Sequence, residues 1–404
     1  MEQRPPLEGI RVADFTWVWA GPFCTLQLAH LGAEVIRVET ASRPCVTRMI
    51  PPWADGQFGV NRGGYFNQYN QGKLSLALDL KDPRAVGIAK ELVATSDIVC
   101  ENFSAGVMDR LGLGYAALRE VKPDIIMIAM SGYGATGPER EFVSYGPAQV
   151  PLSGLSSLTG YAGRPPMHVG VSYGDPTGGL HGAFAVLAAL WHRHRTGKGQ
   201  FIDLSQLETT VAVLPEGTMD YTMNHTQPPR DGNRDPQMAP HGVFRCAGEQ
   251  RWVAIAVRTD AEWERLARII GHPELATQAY RTLTARKSHE DDLEALVTAW
   301  TSGRSPEEVT RLLQEAGIPA FPSMSSKDLS ADPHLGEAGF FVNLDHPEVG
   351  VRQHIGIPWR LNGSPCAVQR PAPCLGEHTN YVMTEVLNYS PDDVDRLKAD
   401  GVLK

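Results

Sequence analysis

Hydrophobic and polar positions change period repeatedly along the first two hundred residues. IRVADFT reads as a strand, AGPFCTLQLAHLG as a helix closed by Gly32, and AEVIRVE as a second strand, together a βαβ unit. The alternation returns with PRAVGIAKELVATS as helix, DIVCENF as strand, a short helix from Tyr115 to Glu120, and DIIMIAMS as strand. Apolar runs such as IIMIAM suit strands covered on both faces, which predicts a parallel sheet with helices outside it. From Pro176 to about Arg193 the run GGLHGAFAVLAALWHRH is apolar on nearly every side and predicts a central buried helix. Strand QFIDLS follows the turn TGKG.

Between Pro215 and Pro240 the chain is rich in Pro, Asn, Asp and Gly with little periodicity, and a crossing linker is expected there. A second unit begins after it. GVFRCAGEQRWVAIAV predicts two short strands around a turn, and helical patterns follow at 260–271, 289–301 and 305–316, giving a small α+β domain. Towards the C-terminus GEHTNYVMTEVL predicts an amphipathic helix. A last helix is delimited by Ser390 as N-cap, Pro391 in its first turn and Gly401 at its end.

The length of 404 residues fits two compact units with ample core. With 42% hydrophobic and 21% charged residues, and glycine and proline spread throughout, a disordered or fibrous chain is excluded. The net charge of −9 and the lack of a dense Lys/Arg cluster argue against a nucleic-acid partner. The longest apolar stretch, Ala183 to Trp191, falls short of the roughly 20 residues that span a bilayer. The start MEQRPPLEG lacks the apolar core of a signal peptide, so a soluble, cytoplasmic protein without membrane partners is expected. The six cysteines are far apart with no Cys-x-x-Cys pair, and no metal site is expected.

Gly132-Tyr-Gly134-Ala-Thr-Gly137 spells a dinucleotide fingerprint after a strand, but PEREFVSYGP follows where a long amphipathic helix is required, so no nicotinamide site is expected. Asp175 stands immediately before the apolar helix, with Pro176 behind it. Spacing alone makes Asp175 an N-cap. The same position suits a nucleophile, since a helix N-terminus stabilises a carboxylate and the neighbouring glycines leave room for a reacting carbonyl beside backbone N–H donors.

Several motifs, in order, carry a resemblance: VADFTWVWAGPFCTLQLAHLGAEVIRVE, NQYNQGKLSLALDLKDP, DIVCENFSAGVMDRLGLGY, SGYGATGP, GDPTGGLHGAFAVLAAL, HRTGKGQFIDLSQLE and CLGEHT. From about Gly9 to its C-terminus the chain resembles the family III CoA-transferases, the group of formyl-CoA transferase and carnitine CoA-transferase. The resemblance implies an α/β fold with a large Rossmann-like CoA-binding domain from both chain ends, 1–214 and 325–404, a linker at 215–240 and a small α+β domain at 241–324. It implies an interlocked homodimer, with a hetero-oligomer as the other arrangement. No tightly bound cofactor is expected, and acyl-CoA and a carboxylic acid are the implied substrates.

By the same resemblance Asp175 is the nucleophile that forms a mixed anhydride and then an aspartyl-CoA thioester. Val18 and Ala20 match residues along the pantetheine arm, with Trp19 between them where the family has an active-site Gln. Leu78 and Lys81 match adenine and phosphate contacts, and Asn102, Phe103, Val107 and Arg110 match a further stretch along CoA. Ser104 and Ala105 replace a common Arg-Pro, and Thr40 replaces an Arg of formyl-CoA transferase, so the phosphate contacts are expected to pass to Arg43 or Arg48. Gly146 stands where formyl-CoA transferase has a Glu, which makes formate and oxalate doubtful substrates. Two other readings remain open: an α-methylacyl-CoA racemase-like enzyme, whose His is replaced here by Tyr145, and a non-catalytic subunit of a hetero-oligomer.

Overall fold

The computed structural model describes residues 4–276 and 279–404. The first unit is built from the chain up to Ser156, His168–Gln227 and Leu335–Lys404, and the second from Ser157–Met167 and Pro228–His334.

In the first unit six strands form one parallel sheet: β1 (Arg11–Asp14), β2 (Glu34–Glu39), β3 (Leu74–Ala77), β4 (Ile98–Glu101), β5 (Ile126–Ser131) and β6 (Phe201–Ser205). Their order is β3-β2-β1-β4-β5-β6, that of doubly wound dinucleotide folds, in which ligands sit beyond the carboxyl ends of the strands where the order reverses. Here the reversal lies between β1 and β4, with Val12 beside Val35 on one side and Ile98 on the other.

Alternate strand residues feed two cores. On one face Ala13, Ile36, Leu76, Val99 and Met127 pack with α3 (Pro83–Ala94) and with Val382, Met383 and Val402 near the C-terminus. On the other, Val12, Val35, Ile98 and Ile126 pack with Cys24 and Leu28 of α1 (Ala20–His30) and with Ala183 and Val186 of a long helix at Gly174–Thr196. Every residue of β5 is buried, as its unbroken apolar run requires.

The remaining helices of this unit are short: α2 (Gly64–Tyr69), α4 (Val107–Arg110), α5 (Tyr115–Val121), α6 (Gly146–Leu152) and α7 (Leu155–Leu158), the last straddling the boundary. The long helix is α8, followed by α9 (Gln206–Val211) and α10 (Pro215–Asn224). Thus a proline-led helix occupies the start of the segment expected as linker, Pro215 filling a first-turn position where no intrahelical N–H is needed. Helix α8 is also less enclosed than its composition suggests. Its glycines and Ala183, Val186 and Ala189 are buried, whereas Leu180, Phe184 and Trp191 are exposed because nothing in the unit covers that side. The final helix, Pro391–Ala399, starts at Ser390, whose hydroxyl accepts from the Asp393 N–H, and ends before Gly401 at φ +74°.

In the second unit the antiparallel strands β7 (His241–Arg245), β8 (Trp252–Ala256) and β9 (Ala320–Pro322) carry helices α11 (Asp260–Ile269), α12 (Leu283–Ser288), α13 (Glu290–Thr301) and α14 (Pro306–Glu315). Its core is Phe244, Val253, Ile255, Trp263, Leu266, Leu293, Val297, Val309 and Leu313. Among the described residues no helix is long and apolar enough to cross a membrane.

Candidate active site

A cavity of about 500 Å³ opens in the first unit at the carboxyl ends of the strands. Its lining includes Val18, Leu78, Lys81, Asn102, Phe103, Val107 and Asp175, from four separate stretches of chain. Trp19, Ala20 and Arg110 lie outside the lining. Trp19 is buried under the turn, and Arg110 is exposed on α4.

Asp175 sits inside the first turn of α8, one residue after its start, and Tyr173 occupies the cap position. It therefore does not act as the N-cap. Its carboxylate instead accepts a hydrogen bond from the Ser172 hydroxyl, and the Ala20 backbone at the start of α1 also favours its charged form. Two helix N-termini thus flank one carboxylate. Burial pushes the Asp175 carboxyl above its ordinary value, and these two neighbours only partly offset it. It is 6% exposed, and that remaining access is from the cavity.

The glycines after Asp175 have a different task from the one expected. A Cβ at Gly179 would lie 2.8 Å from the Ala20 carbonyl oxygen, and one at Gly182 would lie 3.0 Å from the Met130 methyl, so these positions let α8 lie close against α1 and β5. Gly146 packs directly against the carboxylate, since a Cβ there would overlap the Asp175 carboxylate and the Ser172 hydroxyl.

The turn between β1 and α1 carries the predicted pantetheine residues. Val18 adopts φ +64°, a region costly for a β-branched residue, and its N–H points at the Cys45 sulfur 3.2 Å away. Asn102 braces this turn with both ends of its carboxamide: Oδ1 accepts from the Trp17 N–H at 2.7 Å and Nδ2 donates to the Trp17 carbonyl at 2.8 Å. Trp19 packs against Tyr65 and Tyr69 at centroid distances of 5.5 and 5.1 Å. Burial and the neighbouring Asp175 carboxylate push the Tyr69 hydroxyl up to about 12, and burial, Tyr69 and Asp175 raise that of Tyr65 as well. Sequence reasoning missed these two tyrosines, although their i, i+4 spacing in GYFNQY marks one helix face.

At the other end of the cavity are Trp17, Phe103, Arg43 and Lys81. The Arg43 guanidinium lies over the Trp17 ring at 5.3 Å, and Phe103 lies 6.4 Å from the same ring. Of the two arginines expected to replace the missing phosphate contacts, only Arg43 reaches the cavity. Arg48 is fully buried, paired with Glu39 at 2.7 Å and donating to Asn61 and the Pro373 carbonyl. An arginine enclosed in a closed ion pair has no free edge for a phosphate.

A family model for CoA-transferase family III matches residues 7–379. The chain is 32% identical over 404 residues to a succinyl-CoA–D-citramalate CoA-transferase of Chloroflexus aurantiacus, covering 99% of each chain. It is 34% identical over 404 residues to the mouse succinyl-CoA:glutarate CoA-transferase, covering 99% of this chain and 90% of that one. The crystal structure of a CaiB/BaiF family protein from Brucella suis superposes with a TM-score of 0.87 at 30% identity, covering 95% of this chain and all of that one. With a doubly wound sheet, a cavity at its switch point and these likenesses along its whole length, the chain belongs to CoA-transferase family III and is a CoA-transferase.

Proposed function

We propose that this enzyme moves CoA from an acyl-CoA thioester to a free carboxylic acid with Asp175 as covalent nucleophile. The Asp175 carboxylate attacks the thioester carbonyl, the C–S bond breaks, and CoA thiolate leaves a mixed anhydride behind. The thiolate attacks the aspartyl carbonyl and releases the donor carboxylate, giving an aspartyl-CoA thioester. The acceptor carboxylate attacks that thioester to form a second anhydride, and the thiolate attacks its acyl carbon, which frees product acyl-CoA and the Asp175 carboxylate. No net proton is consumed. The observation that carries this reading is the carboxylate itself, buried at the start of α8 yet lining the cavity, with Gly146 so close that a Cβ there would overlap it.

Arg43 and Lys81 suit the phosphates, and Trp17 and Phe103 offer apolar faces for the adenine. Succinyl-CoA, the donor in the names of both relatives above, is the first thioester to test. Incubation with it, hydroxylamine trapping and peptide mass spectrometry should place an adduct on Asp175, and Asp175→Ala should abolish both adduct and transfer. Racemisation requires a second base across the α-carbon, and no histidine is among the residues lining the cavity. Entry of deuterium at the α-carbon of an acyl-CoA in D₂O at catalytic rates, without an acceptor acid, overturns the transfer reading.

A further inference from the structure

We propose that Asp14 and Lys73, neither of which reaches the cavity, are positioning residues that clamp the two ends of the β1–α1 turn and so hold the Ala20 backbone against Asp175. This inference rests on the reading of Asp175 as nucleophile.

Both side chains have no exposed surface. One oxygen of Asp14 accepts from the Thr16 N–H at 2.9 Å and from the Thr16 hydroxyl at 2.5 Å, which fixes the chain as it enters the turn. The other oxygen faces the Lys73 ammonium at 3.2 Å and the Thr25 hydroxyl at 2.7 Å. Lys73 then reaches the exit of the turn, donating to the Pro22 carbonyl at 3.0 Å, and it also meets Thr25 Oγ1 at 2.7 Å and Asn70 Oδ1 at 3.0 Å. The residues between these two fixed points include Val18, in its costly left-handed conformation, and Ala20, whose backbone meets Asp175. A strained conformer persists only where its surroundings over-determine it. Here the over-determination comes from a buried ion pair seated under the turn, with Thr25 bridging the two charges.

Burial pulls the Lys73 ammonium down to about 8, yet Asp14 beside it is held below its ordinary range by Lys73 and Arg37 against the upward push of its own burial. The pair stays ionised near neutrality, which keeps the hydrogen bonds directional.

Thr25 gives the mildest test, because Thr25→Val removes the bridging hydroxyl at nearly constant volume and leaves both charges in place. Two quantities separate the roles: affinity for CoA, titrated with CoA itself, and the single-turnover rate of Asp175 acylation by succinyl-CoA, read by hydroxylamine trapping. The turn gives the CoA cavity only Trp17 and Val18, while Leu78, Lys81, Arg43 and Phe103 lie in other segments, so acylation should slow by about ten- to a hundredfold, the scale of a misplaced reacting group, and CoA affinity should fall by clearly less. Thr25→Ser should restore the rate. Thr25→Ala carries the same expectation if the valine variant does not fold. Acylation at the wild-type rate in the variant, or a fall in CoA affinity matching the fall in rate, overturns the proposal. Failure of the wild-type protein to form any Asp175 adduct overturns the nucleophile reading, and this proposal with it.

Discussion

The Asp175 carboxylate is raised from its ordinary value of 3.8 by burial, and this has consequences for rate and for stability that differ in sign. A nucleophile must be ionised, so the acid limb of the rate profile should lie above the usual carboxylate range. The folded state holds this proton more tightly than the unfolded chain. Above the folded pKa the buried charge is destabilising, and below the unfolded pKa that burden is gone. Asp175→Asn should therefore abolish transfer yet raise the melting temperature by about 1–3 °C at pH 7–8, with the gain shrinking as pH falls through the raised pKa towards 3.8. Thermal melts across pH check this. The cations separate in the same way: Arg43→Ala and Lys81→Ala should each weaken CoA binding about ten- to a hundredfold, and Arg110→Ala, outside the cavity, should have the least effect. Titration of the three variants with CoA checks the order. The motif placed Lys81 by itself, whereas choosing Arg43 over Arg48 required seeing which guanidinium was already spent on Glu39.

At the scale of elements, the site depends on how closely α8 approaches α1. Gly179 and Gly182 are buried at that contact, where a side chain has no space. Gly179→Ala should push the start of α1 away from Asp175, lowering stability by about 1–3 kcal/mol and slowing acylation along with it. Denaturant unfolding and single-turnover labelling of this variant test both effects. The helix and strand assignments around this contact were legible because their periods are strong: α1, α8 and the five strands β1, β2, β4, β5 and β6 lie where the apolar pattern puts them. Helix α10 was not legible, because none of its residues is buried against a core and its Pro215 and Gly217 resemble those of a linker. The N-cap reading of Asp175 failed for a related reason. Capping is decided by backbone geometry over one or two residues, and here the helix begins at Gly174.

For the whole molecule, α8 and α10 each carry large exposed apolar residues, Leu180, Phe184 and Trp191 on the first and Met219, Tyr221 and Met223 on the second. Surfaces of this kind are covered in assemblies, and the interlocked homodimer implied by the family resemblance is the arrangement we propose. Sedimentation over a wide dilution range should show a dimer with no folded monomer, and a folded monomeric species at low concentration would falsify it. The sequence by itself determined the alternating α/β order, the parallel sheet, the family and the candidate nucleophile, because each is written in local period or in a contiguous motif. Tertiary structure alone decided which charges face the cavity, which glycine packs against Asp175, and that Asp14, Thr25 and Lys73 meet beneath one turn. Those outcomes depend on residues brought together from distant stretches of chain, where a difference of a few ångströms separates a buried partner from a ligand contact.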